Sequence, residues 1–180
     1  MIGLAQGVIE TRTILGAADT PIMHIIHPVF WLGYLPIIFG QPRRISASAK
    51  SPLLLARIPE SVVKNLLSER PEFWQYFLQP TIIYGDICAT AAADLLIRDS
   101  QRRCAAVLLR LCGRRFPSSD DAAPVELLLS HDELAGAANL SRNSVGTMVQ
   151  RLQVRGLIDV GYRGLRIRSP AALRAFVDEG

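Results

Sequence analysis

Ser141-Arg142-Asn143-Ser144, with Thr147 three residues further on, is a run of side chains able to read a nucleic acid. An arginine fork can meet O6 and N7 of guanine, and an asparagine amide can meet N6 and N7 of adenine. Hydroxyls and the free amides of a helix start can take phosphate oxygens. Such groups act together only if one rigid element projects them. Val145, Met148, Val149 and Leu152 recur at helical spacing. The stretch therefore predicts a helix capped by Ser141 and running to about Val154, with Arg142, Asn143, Ser144 and Thr147 on its open face and Arg151 further along.

That helix needs a partner to hold it. Upstream, Ser130 and Glu133 have the spacing of a capping box, and Leu134, Ala135 and Ala138 give the helix that follows an apolar side. The small residues from Ala137 to Leu140 predict a tight turn between the two helices, as in a helix-turn-helix. Downstream, "GLIDVGYRGLRIRSP" predicts two short strands, Leu157–Val160 and Leu165–Arg168, around a turn holding Gly161 and Gly164. Such a hairpin is a wing, which would carry Arg163 and Arg166 to the nucleic-acid backbone, with Ser130 adding a contact from the first helix.

Further upstream, Tyr84 to Cys112 predicts a long helix with a break near Asp99 to Gln101. Cys88, Ala91, Ala92 and Leu95, then Val107, Leu108 and Leu111, form an apolar stripe that needs a partner surface. Arg102, Arg103, Arg110, Arg114 and Arg115 read as a solvated helix face. "PESVVKNLLSERPEFWQYFLQ" predicts two short helices on either side of Pro71. From Gly3 to about Leu55, apolar and β-branched residues punctuated by Gly and Pro predict short strands of a barrel or sandwich. Residues 14–40 form an apolar run, but Asp19, two histidines and three prolines interrupt it, which fits buried strands better than a membrane helix. His24 and His27, three apart in a strand, are expected on opposite faces as structural residues, with Trp31 and Trp74 in the core.

Composition permits this reading without compelling it. The 180 residues are 49% apolar, enough for one or two cores, and the net charge of +4 is compatible with an anionic partner. Cys88, Cys104 and Cys112 form no CxxC pair, so neither a disulfide framework nor a metal site is expected. No phosphate-binding glycine loop, HExxH or GxSxG motif occurs, and Asp120 with Asp121 is a carboxylate pair without an evident setting. The expectation is a non-enzyme without cofactor or metal.

"HDELAGAANLSRNSVGTMVQRLQVRGLIDV" resembles the winged helix-turn-helix of the cyclic-AMP receptor protein family of bacterial transcription regulators, which includes the fumarate and nitrate reduction regulators. "LLIRDSQRRCAAVLLRLCGRRF" is similar to that family's dimerisation helix and hinge, and the stretch from "FWLGYLPIIFGQPRR" to "ERPEFW" to the later part of its effector-binding β-roll. The resemblance implies an α+β chain: an incomplete cyclic-nucleotide-binding-like roll at 1–83, a dimerisation helix and hinge at 84–112, and a winged helix-turn-helix at 113–180. It implies a cytoplasmic homodimer on double-stranded DNA, with RNA polymerase as a further partner and an unknown effector. Cys88, Ala91, Ala92 and Leu95 would lie in the dimer interface. Two features depart from the family pattern. Its phosphate cassette is matched by Gly33-Tyr34-Leu35 and Arg43-Arg44-Ile45, where Tyr34 replaces the ribose-binding carboxylate and Arg44 replaces a small hydroxyl residue. The roll's opening strands are also expected to be missing. The pocket is therefore expected to be degenerate and closed to cyclic AMP. A dimeric sensor or interaction module that has lost specific DNA binding stands as the alternative.

Overall fold

A computed structural model of the chain describes residues 1–14, 20–119 and 121–179; Asp19 and Asp120 lie outside them. The architecture is α+β. Its first part holds β1 (Ile2–Gln6), β2 (Ile9–Thr13), β3 (Ile22–Ile26), β4 (Phe30–Leu32), α1 (Leu35–Phe39), β5 (Ile45–Ala49) and β6 (Leu54–Arg57). The strands pair as two antiparallel three-stranded sheets, ordered β4-β1-β6 and β3-β2-β5. The apolar residues of α1 predict strand. Pro36 in its first turn and Gly40, left-handed at its end, close it as a short helix instead.

α2 (Glu60–Glu69) and a 3-10 turn at Pro71–Phe73 lead into α3 (Trp74–Leu96), which runs through Pro80. The second of the two short helices expected around Pro71 is thus the start of the long one. Tyr84 and Ile87 of α3 pack with Leu4, Ile9, Met23 and Ile26 of the roll. Burial on this side outweighs the missing amide of the proline. Trp74, expected in the core, is 39% exposed at the helix start.

α3 stops at Leu96, and α4 (Ser100–Leu111) restarts with Asp99 accepting from the Arg102 amide at 2.7 Å. The stripe read along one helix is therefore divided. Val107, Leu108 and Leu111 lie on α4 and are fully buried in the C-terminal core. That core is built from α4, β7 (Val125–Leu127), α5 (His131–Ala138), α6 (Arg142–Val154), β8 (Ile158–Gly161), β9 (Gly164–Ile167) and α7 (Pro170–Asp178), with its strands ordered β7-β9-β8. No pattern read from the sequence predicts β7 or α7.

Ile22 and Ile25 of β3 belong to the same buried cluster as α4, α5 and α6, so the roll and the C-terminal part share a core. Arg110 stands at this junction. Far from being solvated, it is 3% exposed; its Nε donates to Asp94 Oδ2 of α3 at 3.1 Å, and its Nη1 donates to the Met23 carbonyl of β3. Arg115 Nε donates to the other Asp94 oxygen at 2.9 Å. Burial, and then the positive charge of Arg110 for His24 and of Arg114 for His27, lowers the pKa of both histidines. Among the described residues, no helix is long and apolar enough to cross a membrane.

Candidate nucleic-acid interface

The two helices of the C-terminal motif are fixed by local chemistry. The Ser130 hydroxyl accepts from the Glu133 amide at 3.2 Å, while Glu133 Oε2 accepts from the Ser130 amide at 2.7 Å and from its hydroxyl at 3.0 Å. Two of the unpaired donors at the start of α5, the Ser130 and Glu133 amides, are thereby satisfied. Leu134, Ala135 and Ala138 are buried, as their spacing indicated. The turn is made by Asn139, held left-handed at φ 51°, where its amide reaches the Gly136 carbonyl and the Leu140 amide reaches that of Ala135. Asparagine tolerates this conformation better than most side chains. The small residues around it gave no sign of which position turns.

Ser141 then caps α6, its hydroxyl accepting from the Ser144 amide at 3.1 Å and lying 2.8 Å from the Ser144 hydroxyl. Val145, Val149 and Leu152 anchor the helix in the core. Arg142, Asn143, Thr147, Gln150 and Arg151 stand exposed on its outer side. The hydroxyls of Ser130, Ser141 and Ser144 are thus engaged in capping, and Thr147 donates back to the Asn143 carbonyl at 3.2 Å. Arg142 Nε lies 3.4 Å from Asp132 Oδ1 in the first turn of α5, with both side chains exposed. α6 ends at Val154, and Gly156 just beyond it is left-handed at φ 72°, with the Leu157 amide bonded back to the Leu152 carbonyl.

The wing is the β8–β9 hairpin. A Cβ on Gly164 would strike the Leu127 carbonyl oxygen of β7, which explains the glycine there. Arg163 is exposed at the tip beside Tyr162, which is 100% exposed and was not singled out from the sequence. Arg166 faces Glu126 and Asp159 in the strand register, so carboxylates flank its charge on both sides. Arg168 forks onto Asp159 with contacts of 2.6 to 3.0 Å.

In the roll, Gly33 is left-handed at φ 75° and Leu35 opens α1. Tyr34 between them is 2% exposed, and its hydroxyl accepts from Thr81 Oγ1 of α3 at 3.1 Å. Burial raises the pKa of this phenol, with the Thr81 bond opposing the shift. Arg43 and Arg44 lie on exposed chain before β5, and the Arg44 carbonyl accepts from the Ile14 amide. On α3, Cys88, Ala92 and Leu95 are exposed and Ala91 is half-buried. The open apolar seam lies slightly round the helix from these: Leu78, Ile82, Gly85, Ala89, Ala92 and Leu96, at alternating steps of four and three.

Residues 102–176 match the Crp-like helix-turn-helix domain. The global nitrogen regulator of Synechococcus elongatus is 25% identical over 175 residues, covering 94% of this chain and 78% of that protein. The structure of FixK2 from Bradyrhizobium japonicum superposes with a TM-score of 0.73 at 16% identity, over 96% of this chain and 84% of that one. TTHA1359 from Thermus thermophilus, a transcriptional regulator of the CRP/FNR family, gives 0.66 at 22% identity, over 99% and 87%.

Proposed function

Since the chain belongs to the Crp/Fnr family of transcription regulators and carries a Crp-like helix-turn-helix domain, we propose that it binds a pseudo-palindromic duplex as a homodimer and does not answer to cyclic nucleotides. The observation that carries this reading is the outer side of α6. Arg142, Asn143 and Thr147 stand exposed at the start of a helix whose opposite face is locked in the core, with Arg142 held, among the described residues, only by its exposed pair with Asp132. Base edges take the amide and guanidinium, and the helix start and wing take phosphates.

The seam on α3 supports the dimer. A repeat of four and three residues is that of paired helices, and Gly85, Ala89 and Ala92 in its middle let two backbones approach closely. Two-fold pairing would set the two α6 helices about one duplex turn, ~34 Å, apart. For the effector pocket, support comes from Tyr34. Its ring fills buried space toward α3, its hydroxyl is engaged by Thr81, and the two arginines that would meet a cyclic phosphate lie on exposed chain.

Selection of bound sequences from random duplexes, followed by titration in a salt series, tests the DNA reading. An inverted repeat should emerge, with affinity falling steeply as salt rises. Failure to enrich any sequence would favour a dimeric module without specific DNA binding. Calorimetric titration with cyclic AMP and cyclic GMP should give no heat up to millimolar ligand; saturable binding near the micromolar range, about −8 kcal/mol, would restore an ordinary nucleotide-gated regulator.

A further inference from the structure

Lys50, in the connection after β5, carries its ammonium into the cleft between the roll and the helix-turn-helix. Its Nζ donates to Glu133 Oε1 at 2.6 Å and to Glu10 Oε2 at 3.1 Å, with 12% of the side chain exposed. Glu10 belongs to β2 and is also held by Arg12 Nε at 3.0 Å. Glu133 is the carboxylate that closes the capping box of α5. One of its oxygens holds the Ser130 amide, and the other holds the lysine of the roll. Ser48, Ser51, Leu129 and the wing residue Arg163 line the same cleft.

We propose that Lys50 is a positioning residue for DNA reading: by clamping the capping carboxylate of α5 to Glu10 of the roll, it sets the attitude of α6 relative to α3. The proposal rests on the DNA-binding reading of α6. Two carboxylates share one ammonium here. Without it, Glu133 loses its cation and faces Glu10, which keeps only Arg12, across a partly buried cleft where like charges repel more strongly than in water. Docking would then depend on Ile22 and Ile25 of β3 and on Arg110. A tilt imposed at the start of α5 reaches α6, because the two helices pack together through the Asn139 turn. Two of the three ammonium donors are spent on carboxylates and the side chain is largely covered, so Lys50 acts through geometry and not as a phosphate contact.

The test uses the full chain with Lys50→Met and Glu133→Gln, singly and together, titrated against the selected two-half-site duplex and against one half-site in a salt series. Glutamine at 133 preserves the capping oxygen. Lys50→Met should weaken full-site binding roughly tenfold, within the range by which network residues modulate coupling. Half-site affinity and the salt slope should stay as in the wild type, Lys50→Arg should recover binding, and the double variant should be no weaker than either single. Lys50→Gln carries the same comparison if Lys50→Met unfolds. Equal loss on both duplexes with a salt slope reduced by about one would make Lys50 a backbone contact and overturn the proposal. So would additive losses, or unchanged full-site binding while the wild type still selects a repeat. A wild type that selects no duplex overturns the DNA reading and the role of Lys50 with it.

Discussion

At the scale of single residues, Arg142 has a weak partner now and a better one in prospect. An exposed ion pair with Asp132 is worth at most about 1 kcal/mol, whereas a bidentate arginine–guanine contact discriminates by about 1–3 kcal/mol, so on the proposed reading Arg142 would leave Asp132 for a base. Arg142→Ala should cost about 1–3 kcal/mol on the selected duplex and little on random duplex in matched-salt titrations; equal losses would leave it only a phosphate role. His24 makes a different prediction. Burial, then the charges of Arg110 and His27, push its pKa from 6.5 down to about 4. Below pH 6.5 the unfolded chain takes up a proton that the folded chain refuses, so stability falls as pH drops from about 6.5 to 4, by about 3 kcal/mol in all. His24→Leu should flatten that slope in thermal unfolding measured across the same pH range. Arg142 was legible because a cap and an apolar period identify its helix and turn. Arg110 was not, because its partner Asp94 lies on another helix, sixteen residues earlier, and nothing local distinguishes it from solvated arginines nearby.

At the scale of elements, α5, α6 and the wing were readable because each carries its own start and stop: Ser130 with Glu133, Ser141, and the glycines of the hairpin. α3 was not. The period around Pro71 predicts a separate short helix before one starting at Tyr84, yet packing of Tyr84 and Ile87 on the roll carries one helix from Trp74 through Pro80. The open seam of α3 makes the dimer testable. Ile82→Glu puts a charge on that seam without touching the roll-facing side, and sedimentation should turn a micromolar dimer into a monomer; a wild-type monomer at that concentration would refute the pairing. The Asn139 turn gives a second test. Asn139→Gly should leave stability unchanged or raise it slightly, whereas Asn139→Val should cost at least about 1–2 kcal/mol in denaturant unfolding, since a branched side chain is disfavoured at positive φ.

At the scale of the whole molecule, Arg110 joins three elements, α3, β3 and α4, through one buried guanidinium. Replacing Asp94 by Asn would leave that charge short of its counter-ion, and a loss of about 3–5 kcal/mol is expected in chemical unfolding, as for a broken buried pair. The division of the chain into parts was legible in outline from its changes of period. The docking between them was not, because contacts such as Ile25 with α4 or Lys50 with Glu133 join positions that no local pattern links. If the proposed dimer reads an inverted repeat, the core shared by β3 and the C-terminal helices has a consequence for that repeat. Reading heads on slack tethers would follow a displaced half-site, but heads set in the body of the protein cannot. One base pair inserted at the centre of the repeat turns the far half-site by about 34° around the duplex axis. Such a duplex should be gripped by one head alone, and the helical phase of the site should matter as much as its letters.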